Sequence, residues 1–300
     1  MEIDKLQNIA GALQIRAPSH GPRVVIFGGI HGDETSGVHA LEALLFDFLA
    51  ERHVLTKGSL ILVRANERAL LKGKRYLDYD LNRLFKEEYP DPIDRNSYEF
   101  ERAQQLKLLL ERCEYFLDLH SAPIAQDPFI VAERQPARFF IRLGIPRIIT
   151  GWGKFAGTSI GGDAENYANN KGAAAATLEA GNHLDSSSIK VAYNALLSML
   201  SLLEMIKQSA KTKSLPVEVY EIYAVQQKEA EDFRYVGTAR NFQFIPQGVA
   251  YAFQRGEPLT VTKDSFLLIP MRPEETKMGA EVCYLGERVE TGNLITSAQP

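Results

Sequence analysis

His31 and Glu34 stand three residues apart, directly after the apolar run Val24-Val25-Ile26-Phe27 and the turn Gly28-Gly29. One helical turn brings an imidazole and a carboxylate at that spacing together, and zinc accepts both kinds of donor. A catalytic zinc keeps three protein ligands and one open position, so a third donor must come from elsewhere in the chain. His120 supplies it, immediately after the run Tyr115-Phe116-Leu117-Asp118-Leu119. Asp118, two residues earlier, falls on the same side of a strand and is placed to orient the imidazole. Glu179 follows a third run, Ala174-Ala175-Ala176-Thr177-Leu178, and offers a further ligand or proton carrier. A His-x-x-Glu pair alone recurs by chance; three polar groups delivered at the ends of three apolar runs do so less readily.

Those runs read as strands buried on both faces, each ending where open α/β sheets bind ligands. After the first, Val38, Leu41, Leu44, Leu45, Phe48 and Leu49 recur at helical spacing. Residues 59–63 (SLILV) form another buried strand, and residues 145–150 and 173–178 two more. Asn96 and Glu99 make a capping-box pattern opening a helix through Phe100, Ala103, Leu106, Leu110 and Cys113. A long helix is expected from about 188 to 209. This alternation predicts an α/β domain, residues 1–210, around a mostly parallel sheet. A polar stretch ending at Pro216 reads as a linker, and short strands bounded by Pro and Gly follow near 217–225, 242–248 and 265–270. Residues 211–300 are therefore expected to form a smaller, mostly β domain with a frayed tail from Thr291.

Hydrophobic residues make up 45% of the chain, enough for a sizeable core, and the formal net charge of −4 argues against a general nucleic-acid partner. Cys113 and Cys283 are the only cysteines, which excludes a disulfide framework and a cysteine zinc knuckle. The first residues carry Glu2, Asp4 and Lys5 without an apolar run, and no stretch approaches the roughly 18 apolar residues of a membrane span. A cytoplasmic protein without a membrane partner is expected; homo-oligomerisation stays open.

Taken together, GGIHGDETSG (28–37), RYLDYDLNRLF (75–85), DLHS (118–121) and TLEAG (177–181) resemble the succinylglutamate desuccinylase/aspartoacylase family, which is related to the zinc carboxypeptidases. The resemblance implies a carboxypeptidase-like mixed sheet flanked by helices, with the C-terminal β domain capping the active site. It implies one zinc ion held by His31, Glu34 and His120, and Glu179 as the general base. It further implies that Arg75 polarises the scissile carbonyl, while Asn82 and Arg83 bind the substrate's α-carboxylate. The reaction expected is hydrolysis of an N-acyl amino acid or related small carboxylated amide. A metallocarboxypeptidase acting on short peptides, or a zinc-containing binding protein without catalysis, are the alternatives.

One departure bears on substrate choice. Aspartoacylases of this family carry a further arginine upstream of the general base, and residues 161–170 contain none; Lys171 is the nearest cation. No second carboxylate clamp is identified, so the acyl group stays open. The glycine-rich stretch 151–162 lacks the ending of a phosphate loop and is read as an active-site loop, with Lys154 and Lys171 as flanking charges and Trp152 within it. His183 is a candidate for the pocket wall.

Overall fold

The computed structural model describes residues 1–89, 92–123, 127–155, 162–207 and 216–292. Residues 156–161 of the expected loop at 151–162, the expected linker up to 215 and the tail from 293 lie outside the described residues.

A twelve-stranded mixed sheet organises the chain. Its centre is built by β3 (Ser19–Gly28), β4 (Lys57–Arg64), β5 (Tyr115–Ala122) and β8 (Ala174–Asn182). These four lie side by side in parallel, in the order β4, β3, β5, β8. On one flank, β1 (Glu2–Lys5) and β2 (Ala12–Arg16) add antiparallel strands. On the other, β6 (Phe129–Val131) runs antiparallel to β8, and β7 (Arg147–Thr150) lies parallel to β6. Parallel pairing thus runs through the four central strands and recurs between β6 and β7, with antiparallel pairs flanking the centre on both sides, so the sheet is less parallel than the alternation of helices and strands predicts.

The parallel core strands alternate their side chains between two buried faces. Val24, Ile26, Leu60, Leu62, Leu117, Leu119, Ala176 and Leu178 enter one apolar cluster. Val25, Phe27, Ile61, Val63, Phe116 and Ala175 enter the other. That two-sided burial is why the segments read as unbroken apolar runs. Helices α1 (Thr35–Leu49) and α6 (Ser186–Leu202) contribute to the first cluster, with α4 (Arg134–Phe140). The second is covered by α3 (Tyr98–Leu110) and α5 (Ala164–Asn170), and α2 (Glu67–Lys72) lies near the sheet's end.

The C-terminal part continues the same sheet. β9 (Glu218–Gln227) pairs in parallel with β7, and β15 (Glu281–Val289), β14 (Ser265–Leu268) and β11 (Gln243–Ile245) extend the ladder antiparallel. A separate three-stranded sheet is formed by β10 (Arg234–Tyr235), β12 (Ala250–Gln254) and β13 (Glu257–Thr260). Among the described residues no helix is long and apolar enough to cross a membrane.

Two local expectations need correction. The predicted capping box is absent: α3 is preceded by Ser97, whose side chain makes no cap bond, and Glu99 turns away to bind a different segment. Helix α6 spans Ser186–Leu202, ending earlier than expected because Leu203 and Glu204 turn the chain, Glu204 with a positive φ of 53°.

Candidate metal centre and active site

Register decides what meets what. Gly28 on β3 lies opposite Leu119 on β5, and His120 on β5 lies opposite Glu179 on β8. The turn carrying His31 and Glu34 therefore leaves β3 beside the strand end that carries His120. Asp118 pairs in register with Thr177, two residues back on each strand, so Asp118, His120, Thr177 and Glu179 share one face. His120 sits inside β5, two residues before its end, because the strand runs to Ala122.

The turn itself is shaped by glycine. A Cβ on Gly32 would stand 2.2 Å from the Ala69 carbonyl carbon and 2.5 Å from the Lys74 oxygen, so nothing larger fits there. Gly29, at φ 71°, takes the left-handed conformation that returns the chain.

His31, Glu34 and His120 are brought together as a buried group whose donor atoms lie within 4.8 Å of one another. Glu34 sits between the two imidazoles, with Oε1 2.7 Å from His31 Nδ1 and Oε2 3.1 Å from His120 Nδ1. The Ser121 backbone N–H donates to Glu34 Oε2 at 3.0 Å. Burial alone would raise the Glu34 carboxyl, but the two imidazoles overcome it and hold it well below the ordinary carboxylate range. His31 is lowered by burial and lifted further by Glu34 and Asp80, with a net upward shift. His120, likewise opposed by burial, is raised well above its ordinary value by Asp118 and Glu34. Two imidazoles and a carboxylate with convergent donor atoms fit a borderline divalent ion with one position left open.

Each imidazole has an outer carboxylate. His31 Nε2 lies 3.1 Å from Asp80 Oδ1. His120 Nε2 lies 3.0 Å from Asp118 Oδ2, an ion-pair contact without hydrogen-bond alignment. Asp118 is 1% exposed. Asp80 had no assigned part in the sequence reading, although it sits within RYLDYDLNRLF.

Glu179 is half-buried, and its Oε2 is enclosed without a hydrogen-bond partner. Desolvation pushes its carboxyl up to about 7, with His120 pulling it down, Glu34 pushing it up, and His31 and Arg75 opposing. Such a group can exchange a proton near neutrality.

Arg75 reaches Glu34 Oε1 at 3.3 Å and Asp80 Oδ2 at 3.5 Å, with its side chain 45% exposed. Its backbone is tied to the metal turn by a bond from Gly32 N–H to the Arg75 carbonyl at 3.1 Å. Asn82 accepts from Ala164 N–H at 3.0 Å through Oδ1, so its amide nitrogen is what remains to offer a ligand. Arg83 donates to the Asn82 carbonyl at 2.8 Å and faces Asp80 and Asp163 electrostatically.

Beyond Arg83 the wall is acidic and aromatic. Asp163 caps α5 and accepts from Asn166, and Trp152 Nε1 donates to it at 3.4 Å. Trp152 in turn packs on Tyr284 of β15 at 4.8 Å between ring centroids. The expected extra cations are engaged elsewhere: Lys154 binds Glu221 together with Arg134, and Lys171 binds Glu87 at the far end of α5. His183 bonds Ser121 Oγ at 3.0 Å, behind the residue whose backbone holds Glu34. Glu165, a buried carboxylate near these segments, is not singled out by sequence, and Glu99 reads there as part of a helix cap; it falls in line with Ala103, Leu106 and Leu110 on the buried face of α3, a charged residue in an apolar stripe.

Known proteins similar to this chain are numerous. A succinylglutamate desuccinylase of Serratia proteamaculans is 38% identical over 111 residues, covering 37% of this chain and 32% of that protein. One from a Shewanella species is 23% identical over 283 residues, covering 83% of this chain and 77% of that protein. Among solved structures, a succinylglutamate desuccinylase of Vibrio parahaemolyticus superposes with a TM-score of 0.76 at 21% identity, over 96% of this chain and 91% of the other. A product-bound ectoine utilization protein of Ruegeria pomeroyi gives 0.68 at 19% identity, over 92% and 88%. At such identities the superpositions speak for the mixed α/β fold. The family model of the succinylglutamate desuccinylase/aspartoacylase catalytic domain matches residues 20–204, and the chain belongs to that family.

Proposed function

We propose that this protein is a zinc-dependent deacylase that hydrolyses the amide bond of an N-acyl amino acid or a related small carboxylated amide. The observation that carries the reading is Glu179: its Oε2 is enclosed without a partner, one register position across from His120 in the buried His31–Glu34–His120 group. A site that only held a metal would have no use for a proton carrier there.

Zinc, when bound by these three residues, supplies a Lewis acid and a nucleophilic water at neutral pH. Glu179 takes the proton of the attacking water and returns it to the leaving amine nitrogen. Arg75, anchored through its backbone to Gly32, places a fixed cation against the developing oxyanion. The amide nitrogen of Asn82 and the planar fork of Arg83 hold the α-carboxylate. Residues 211–300 serve as a cap, a role supported by Tyr284 of β15 meeting Trp152 beside Asp163. A restricted site of this kind admits small amides in preference to peptides.

The test is incubation of zinc-loaded protein with panels of N-acyl amino acids and of short peptides. Release of free amino acid from the first panel is expected. Cleavage confined to peptides would replace the deacylase reading with a carboxypeptidase one. Metal analysis of Glu179→Gln is expected to show full zinc with hydrolysis lost.

A further inference from the structure

Glu99 is fully buried on α3, and its two carboxylate oxygens each accept a backbone N–H from one short segment: Oε1 from Leu77 at 2.8 Å and Oε2 from Asp78 at 3.1 Å. That segment runs from Arg75 to Asp80, the two residues that reach the metal turn through Glu34 and His31. Its ends are held by other bonds. Gly32 N–H donates to the Arg75 carbonyl, and Asp80 Oδ1 accepts from Asn82 N–H at 2.9 Å. Between these anchors, residues 76–79 form no helix or strand, so Glu99 provides the side-chain support for their backbone. Bonds from a carboxylate to two adjacent amides are charge-assisted and fix direction as well as distance.

We infer that Glu99 is a positioning residue: it clamps the 77–78 backbone so that Arg75 and Asp80 project from a fixed segment toward the metal group. The catalytic half of this inference rests on the deacylase reading; the structural half, through Asp80 and His31, does not. The Glu99 carboxylate bonds the Leu77 and Asp78 amides and acts through the two residues it aims.

The experiment uses the full chain and Glu99→Gln, which keeps the shape but sets an NH2 group against one of the two amide donors. Thermal unfolding establishes that the variant is folded, and Glu99→Asp serves if it is not. Amide hydrogen exchange at Leu77 and Asp78 is expected to accelerate, and zinc affinity by chelator competition to weaken about tenfold, the lower end of what losing an outer support costs. On an N-acyl amino acid that the wild type cleaves, kcat is expected to fall about tenfold while KM changes little. At saturating zinc in an Arg75→Ala background, Glu99→Gln is expected to add almost nothing to the loss of kcat, because the cation it aims is gone and the Asp80 route acts only on zinc occupancy. A merely structural role would instead lower activity by the same factor in both backgrounds, which would overturn the inference. If the wild type cleaves no amide in the panel, the deacylase reading fails by itself, and zinc affinity then decides: tenfold weakening supports the clamp, and wild-type affinity in Glu99→Gln overturns it.

Discussion

His31 and Asp80, 49 residues apart in sequence, meet at 3.1 Å between Nε2 and Oδ1. The imidazole presents its other nitrogen, Nδ1, toward Glu34. A carboxylate behind a ligand imidazole fixes its tautomer and its rotation, and removing such a partner typically costs about 10–100-fold in metal affinity. Asp80→Ala is therefore expected to bind zinc about 10–100-fold more weakly, measured by chelator competition. Unchanged affinity would show that Glu34 alone orients His31.

The Glu179 carboxyl is raised by desolvation to about 7, and as the proposed general base it is expected to set the acid limb of the pH profile. A general base works deprotonated, so kcat/KM rises as pH climbs through the folded value and falls below it. A bound cation favours the carboxylate, which places the midpoint of the metal-loaded enzyme below about 7. An acid limb whose midpoint Glu179→Asp leaves unmoved would remove Glu179 from the proton-transfer role.

Arg75 and Arg83 are predicted to fail differently. Arg75→Ala removes a cation aimed at charge that develops only during reaction, so kcat should drop by about 10²–10³-fold, the usual loss for one such donor. Arg83→Ala removes a contact made equally by bound substrate, so KM should rise with kcat nearly kept. Steady-state kinetics on one substrate separates the two; a KM effect for Arg75 would exchange their roles.

Glu165 is 2% exposed, and its carboxyl is raised well above the ordinary value by desolvation and by Asp163 and Glu133 nearby. The folded protein keeps this proton at pH values where the unfolded chain, with a glutamate near 4.3, has released it. Stability therefore falls as pH rises through that window, by up to about 1.4 kcal/mol per pH unit for one group. Glu165→Gln lacks that dependence. Its stability relative to wild type, from urea unfolding, should improve steadily from pH 5 upward; a difference independent of pH would mean that Glu165 is ionised in the folded state.

Much of this architecture is legible in the residues because the central strands are buried on both sides. Val24 to Phe27 and residues 59–63 announce themselves as apolar runs, and polar groups at their ends stand out. The strands away from the centre hide. β1 is Glu-Ile-Asp-Lys and exposes most of its length, while β15 carries Glu281, Glu287 and Arg288 around a buried Tyr284, so neither has a period to read. The metal donors are visible because His-x-x-Glu is a local spacing. Asp80 and Glu99 are not, since each acquires its partner through contacts across 49 and about 22 residues of chain. Glu99 was misread for the same reason: its neighbours in sequence offer a helix cap, and its neighbours in space offer two better-placed amides.

For the proposed cap, the pairing of β9 with β7 carries a consequence for how substrates would be sorted. A cap joined to a catalytic core by a bare tether can swing, and its clearance is then set afresh by every ligand. Here Tyr284 and His120 belong to strands of one hydrogen-bonded ladder, running from β5 through β8, β6, β7 and β9 to β15. If residues 211–300 cap the site as proposed, the gap between them is a dimension of that ladder, established when the chain folds. Discrimination by size in such a protein is a ruler rather than a hinge, and side chains along β15, more than motion, are where its length would be changed.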